Sequence, residues 1–199
     1  MLDPTTPCCS HALSTVFLDR DGVINEKMPE GQYVRSWNDL HLLPGVPEAI
    51  AQLNRMELRV IVVSNQRGIA LQLYTSADVQ AIHLALQNVL ASLGAHIDAF
   101  YFCPHDEGKC NCRKPLPGMF EQAVAEFPTI SAAASVMIGD SYSDIEFGSN
   151  LGMRTILLEG APDRQKPSTE KARARAGQSF ASLADAVNAL LRPPLSSTC

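Results

Sequence analysis

Two aspartates one residue apart, Asp19 and Asp21, end the apolar run Val16-Phe17-Leu18 and are followed by Gly22. Alternate side chains of an extended chain point to the same side, so both carboxylates face one space. Two like charges that close repel, and a divalent cation is the simplest compensation. A carboxylate beside Mg²⁺ can attack phosphorus and form an aspartyl-phosphate. The same residues also read as a plain strand with an acidic turn, and the pair alone leaves both readings open. Ser64-Asn65 offers a hydroxyl and an amide suited to phosphate oxygens, Arg113-Lys114 adds positive charge, and Asp140-Ser141 with Asp144 adds carboxylates. Singly, these are a turn, a solvated pair and a helix cap. A fifth cluster, Cys103, His105, Cys110 and Cys112, supplies three soft sulfurs and an imidazole. That set closes a tetrahedral Zn²⁺ shell and leaves no open position, which predicts structural zinc. Its expected task is to order a loop poor in apolar residues so that Arg113-Lys114 is presented to a substrate.

The elements that must carry these residues follow from hydrophobic period. Apolar runs predict strands at 14–18, 59–63, 99–102, 135–138 and 155–158. Between them, Pro44-Gly45 opens a helix with Val46, Ala49, Ile50, Leu53 and Met56 on one face. Ser76 caps a longer helix bearing Val79, Ile82, Leu86, Val89, Leu90 and Leu93. Further helices are expected from Pro117 to about Phe127, from about Asp144 to Gly152, and from Ser182 to Leu191. Alternating strands and helices predict a doubly wound, mostly parallel α/β fold, in which ligands bind beyond the carboxyl ends of the strands. All four acidic and phosphate-friendly clusters would then converge on one rim. Residues 26–43 form a long aperiodic insertion, of the kind that is usually functional. The polar stretch 160–177 reads as a surface loop, 1–13 as a loose arm, 14–192 as one domain and 193–199 as a tail. Neither insertion is long enough for a large cap domain.

The chain of 199 residues carries a net charge of −5 and is 46% hydrophobic, which fits a globular protein with a proper core and gives no case for nucleic acid or anionic membrane. No apolar run approaches a membrane span, and the start lacks a secretory pattern, so a cytoplasmic protein is expected. Cys8, Cys9 and Cys199 read as free thiols near the termini. No interface stripe is evident, and a monomer is expected.

Together, Asp19-Arg20-Asp21-Gly22, Ser64-Asn65-Gln66, Lys114-Pro115 and Gly139-Asp140-Ser141 resemble, in order, the four motifs of the haloacid dehalogenase superfamily of phosphatases. The longer stretches 19–25 and 64–70, with Cys103-Pro104-His105 and 110–115, resemble its heptose-bisphosphate phosphatase branch; histidinol-phosphate phosphatases are close relatives with the same zinc segment. The resemblance implies a Rossmann-like core and a Mg²⁺-dependent phosphomonoesterase acting on a small phosphorylated metabolite. The favoured substrate is the 7-phosphate of heptose 1,7-bisphosphate, with histidinol phosphate as the alternative. It implies Asp19 as nucleophile, Asp21 as acid and base, and Ser64 and Lys114 as holders of the transferring phosphoryl group. Asp19, Asp140 and the Asp21 carbonyl would hold Mg²⁺. Asn65 and Arg113 would meet the substrate, as would Tyr33-Val34 and Arg67 on the rim loops. Ser141 and Asp144 play a supporting part, Asp144 either orienting Lys114 or capping its helix. Two departures bear on the substrate: the zinc loop is short, as in histidinol phosphatases, and Leu71-Gln72 stands where relatives often have Arg-Gly. A signalling receiver also phosphorylates a strand-end aspartate, but supplies no acid/base two residues beyond it; Asp21 argues against that reading. A non-catalytic binding module is disfavoured because every catalytic position is filled.

Overall fold

The computed structural model describes residues 12–160 and 167–191. Among these residues, six strands form one all-parallel sheet: β1 Thr15–Leu18, β2 Arg59–Asn65, β3 Ala99–Cys103, β4 Ser135–Gly139, β5 Arg154–Leu158 and β6 Gln178–Phe180. Their spatial order is β3-β2-β1-β4-β5-β6, so the winding reverses between β1 and β4. A crevice opens outside the carboxyl ends of the strands at such a reversal.

Alternation along the strands feeds two cores. Val16, Leu18, Val60, Val62, Val136 and Ile138 point to one face. There they meet α1 (Val46–Arg55), α2 (Ser76–Ser92) and α6 (Leu183–Leu190) through residues such as Ile50, Leu86 and Val187. Phe17, Ile61, Val63 and Met137 point to the other face and pack on α3 (Gly118–Glu126) and α4 (Tyr142–Leu151) through Met119, Ala123 and Phe147. With both faces covered, the inner strands are continuously apolar.

Several details correct the sequence-based expectations. Met56 and Leu93 do not join the apolar faces; they sit at the helix C-caps and are exposed. Thr75, not Ser76, caps α2, because its side chain and that of Asp78 satisfy each other's backbone N–H. Within 160–177, the stretch expected to be a loop, residues Pro167–Arg175 form α5, and β6 follows at the sheet edge. α5 lacks an apolar stripe; it buries Ala172 against Ile145 and Leu157 and adds ion pairs from Arg173 to Glu159 (2.7 Å) and from Arg175 to Glu146 (3.0 Å). The insertion 26–43 is also more ordered than its aperiodic sequence suggests: Asn25 bridges to Leu42, residues Trp37–Asp39 make a 3-10 turn, and Val34, Leu40 and Ile82 pack together. The expected arm, apart from residues 12 and 13, the expected tail, and Cys8, Cys9 and Cys199 lie outside the described residues. Among the described residues there is no separate cap domain, and no helix is long and apolar enough to cross a membrane.

Candidate active site

Parallel pairing of β1 with β4 runs past the strand ends, where the Asp19 amide donates to the Ile138 carbonyl (3.0 Å). This brings Asp19 beside Asp140. Carboxylate oxygens of Asp19, Asp140 and Asp144 all lie within 4.8 Å of one another. Two glycines make room: a Cβ on Gly22, whose φ is +99°, would run into the Asp140 carboxylate, and one on Gly139 would run into the Asp144 side chain.

Lys114 enters this group from the far side of the sheet. Its Nζ donates to Asp19 Oδ1 (2.9 Å) and to the Val63 carbonyl (2.7 Å), and it pairs with Asp144 Oδ1 (2.6 Å). The Lys114 and Asp144 side chains are each 1% exposed, so their charges are desolvated and each needs the other. Asp144 does both of the things left open above. One oxygen faces Lys114, while the other accepts from the Ser141 amide (3.0 Å) and hydroxyl (2.6 Å) at the start of α4. Asn65 turns its amide to the Lys114 backbone, donating to its carbonyl (3.1 Å) and accepting from its N–H (3.0 Å). That reciprocal pair spends both ends of the carboxamide on fixing Lys114.

Crowded negative charge shapes the electrostatics. Burial pushes the Asp19 carboxyl up to about 7; Lys114 opposes this, and Asp144, Asp140 and Asp21 add to it. Burial likewise raises Asp140, against the pull of Lys27, whose Nζ donates to Asp140 Oδ2 (2.6 Å). The other oxygen, Asp140 Oδ1, is buried with no hydrogen-bond partner. Clustered carboxylates with an orphaned oxygen are the donor set of a hard divalent cation, whose charge would draw those carboxyls back to their ionised forms.

Asp21 is held differently. Arg20 grips both its oxygens (2.9 Å each), Asn25 donates to Oδ1 (3.0 Å) and Gln66 to Oδ2 (3.0 Å). Burial works upward on this carboxyl, but Arg20 and these hydrogen bonds hold it below the ordinary carboxylate range. Gln66 also donates to the Ser64 hydroxyl oxygen (2.7 Å), which leaves the Ser64 proton free for another acceptor.

The cysteine cluster lies at the end of β3. Cys103 Sγ is 3.5 Å from Cys110 Sγ and 3.8 Å from His105 Nδ1, and His105 Nδ1 is 3.3 Å from Cys112 Sγ. These spacings are near the edge, about 3.7 Å, of a tetrahedron with zinc–sulfur bonds of about 2.3 Å. The three thiols are free of disulfides. The donor set therefore fits a tetrahedral metal, and the loop that bears it continues directly into Arg113 and Lys114.

The remaining rim residues are placed unevenly. Arg113 is half-buried, and one guanidinium nitrogen is buried with no partner. Arg67 is exposed and paired with Asp106 of the cysteine loop (2.7 Å). Tyr33 is half-buried with its ring 6.0 Å from that of Tyr74. The Val34 side chain is 3% exposed and packs with Leu40 and Ile82. Arg20, Asn25 and Gln66 were visible only as letters of motifs, and Lys27 and Tyr74 not at all. Lys27 lies in an aperiodic insertion, and nothing local in the sequence marks its reach to Asp140.

Known proteins are similar to this chain in sequence and fold. Residues 111–186 match a family model described as HAD-hydrolase-like. The D-glycero-alpha-D-manno-heptose-1,7-bisphosphate 7-phosphatase of Mycobacterium tuberculosis is 42% identical over 68% of this chain and 72% of its own. The D-glycero-beta-D-manno-heptose-1,7-bisphosphate 7-phosphatase of Vibrio cholerae is 36% identical over 91% of this chain and 98% of its own. The crystal structure of D,D-heptose 1,7-bisphosphate phosphatase from B. bronchiseptica, complexed with magnesium and phosphate, superposes with a TM-score of 0.77 at 31% identity, covering 90% of this chain and 98% of that one. The chain belongs to the haloacid-dehalogenase-like phosphatases, in their heptose-bisphosphate phosphatase family.

Proposed function

We propose that the protein removes the 7-phosphate of D-glycero-D-manno-heptose 1,7-bisphosphate through an aspartyl-phosphate on Asp19. The observation that carries this reading is the meeting of Asp19, Asp140 and Asp144 at the sheet's switch point, with the Lys114 ammonium on Asp19 and Asp144. Asp19 attacks phosphorus, an Asp19 O–P bond forms and the P–O7 bond breaks. Asp21 enters this step as the carboxylic acid, protonated when the phosphate's negative charge is bound beside it, and gives that proton to the departing sugar oxygen. As the carboxylate it then takes a proton from the water that attacks the same phosphorus and releases inorganic phosphate from Asp19, which restores the acid form. Ser64 donates its free proton to a phosphoryl oxygen, and Lys114 offsets the negative charge that develops there. Magnesium, held by Asp19, Asp140 and the Asp21 carbonyl, would neutralise phosphoryl oxygens as a Lewis acid. Zinc held by Cys103, His105, Cys110 and Cys112 would be structural, fixing the loop that presents Arg113 and Lys114. Arg113, with its unpartnered nitrogen, is suited to a second phosphate. Arg67, engaged by Asp106, and Val34, engaged in packing, are less free to meet the sugar than Tyr33.

The test is kcat/KM for both anomers of the heptose bisphosphate beside histidinol phosphate, with Asp19→Asn as control. The bisphosphate is expected to be the better substrate by tenfold or more, on the order of one lost charged contact. Faster turnover of histidinol phosphate would overturn the assignment.

A further inference from the structure

We infer that Gln66 and Tyr74 are positioning residues that aim the Asp21 carboxyl at the leaving group. The inference rests on the reading of Asp21 as acid and base given above.

Asp21 has two kinds of partner. Arg20 and Asn25 belong to its own turn, so they fix the carboxylate relative to β1 and say nothing about the phosphate pocket. Gln66 comes from the end of β2. Its Nε2 reaches both Asp21 Oδ2 (3.0 Å) and Ser64 Oγ (2.7 Å), so one amide spans the acid/base and the hydroxyl that faces the phosphoryl group. It therefore sets the distance between the group that protonates and the group that holds.

The orientation of that amide is not arbitrary. A carboxylate accepts only, so the NH₂ end must face Asp21, and the carbonyl end must face away. The carbonyl end meets the Tyr74 hydroxyl at 2.8 Å, which must then donate. Without that donor, the buried carbonyl end is left unpaired and only the contacts at the NH₂ end hold the amide against Asp21. Gln66 is 2% and Tyr74 7% exposed, so water has little access to replace either contact. The surroundings hold the pair in place. The Gln66 backbone N–H donates to the Cys103 carbonyl (2.8 Å), and a Cβ on Gly68 would run into the Tyr74 ring. The Tyr33 ring leans on Tyr74 from the rim loop, so a contact made there by a substrate is two side chains away from the acid.

The experiment compares kcat/KM of wild type, Tyr74→Phe and Gln66→Met on the heptose bisphosphate and on p-nitrophenyl phosphate. A sugar alkoxide needs the proton from Asp21 to leave, whereas p-nitrophenolate needs little help. Both variants are expected to lose about tenfold or more on the sugar phosphate, within the range of general acid catalysis, and less than about threefold on the aryl ester. Because Asp21 also activates water, p-nitrophenol release by the variants should show a burst followed by a slower steady state. Equal losses on the two substrates, or no loss on either, overturn the inference; a site merely loosened gives the first pattern. Tyr74→Phe removes one oxygen and keeps the ring, so it carries the test if Gln66→Met does not fold. A wild type inert on the sugar phosphate but active on the aryl ester removes the substrate assignment instead, and the comparison is then made with whichever alkyl phosphate it cleaves.

Discussion

The acidic crevice and the cysteine loop lie side by side, yet they are kept in shape by different forces. Asp19, Asp140 and Asp144 follow strands whose side chains are wholly buried, so two hydrophobic cores position them before any ligand arrives. Residues 103–115 have no such support. Apart from Cys103 and Cys112, the loop is exposed or half-exposed up to Arg113, and His105 faces solvent. A loop of that kind is ordered by its ligand. Lys114 belongs to both regions, with its backbone at the end of the loop and its ammonium inside the crevice. On the function proposed above, the crevice's charge balance would be finished by a residue whose placement depends on a metal it does not touch.

Breaking each region separately should give different signatures. Asp19→Asn strikes the crevice alone; turnover is expected to fall by about 10⁴-fold or more, as when a nucleophile is removed, with an unchanged circular-dichroism spectrum. Activity above a tenth of wild type would end the assignment of Asp19. Lys114→Met removes the ammonium from the crevice and leaves the backbone at the end of the loop in place. Loss of an electrostatic stabiliser lowers kcat by about 10²–10³-fold, and leaving Asp19 and Asp144 buried without their cation costs about 3–5 kcal/mol in a denaturant titration. A Lys114→Met protein as stable as wild type would show that the carboxylates are compensated by something else. Cys110→Ser strikes the loop alone. Zinc content should fall from about one per chain, proteolysis should open at 103–113, and activity should drop by about 10–100-fold while the sheet still melts cooperatively. A metal-free protein with an intact loop and full activity would refute the division of labour.

How much of this was legible beforehand follows the same divide. The inner strands and the four clusters at their ends could be read because buried parallel strands leave continuous apolar runs that stop abruptly at polar residues. The cysteine cluster could be read because soft ligands at short spacing have few other uses. α5 and β6 were hidden for a physical reason. α5 buries Ala172 and otherwise relies on Arg173 and Arg175 ion pairs, so no apolar period betrays it, and Gln178-Ser179-Phe180 is a short, polar edge strand. Partnerships within the site were hidden too. That Asn65 would turn to the Lys114 backbone and Asp144 would serve two masters depends on geometry across 49 and 30 residues of chain, which no local pattern encodes.

Lys27 sharpens the comparison with the smallest effect. Its ammonium sits on Asp140 Oδ2, beside the unpartnered Oδ1 that would meet the crevice's own cation, so the lysine charge competes with the metal for the same carboxylate. The Lys27 side chain is 48% exposed, and an ion pair that open to solvent is worth about 0–1 kcal/mol. Removing the competitor with Lys27→Gln should therefore tighten magnesium binding by up to about fivefold, the equivalent of that energy. The cysteine loop, whose ligands pair with one another and not with a lysine, should show no change in zinc content. Calorimetric titration of magnesium into the chelator-treated protein reads this directly. Weaker binding by Lys27→Gln would mean that Lys27 helps hold the site in shape instead of competing for it, and the crevice would then share some of the loop's dependence on mobile residues.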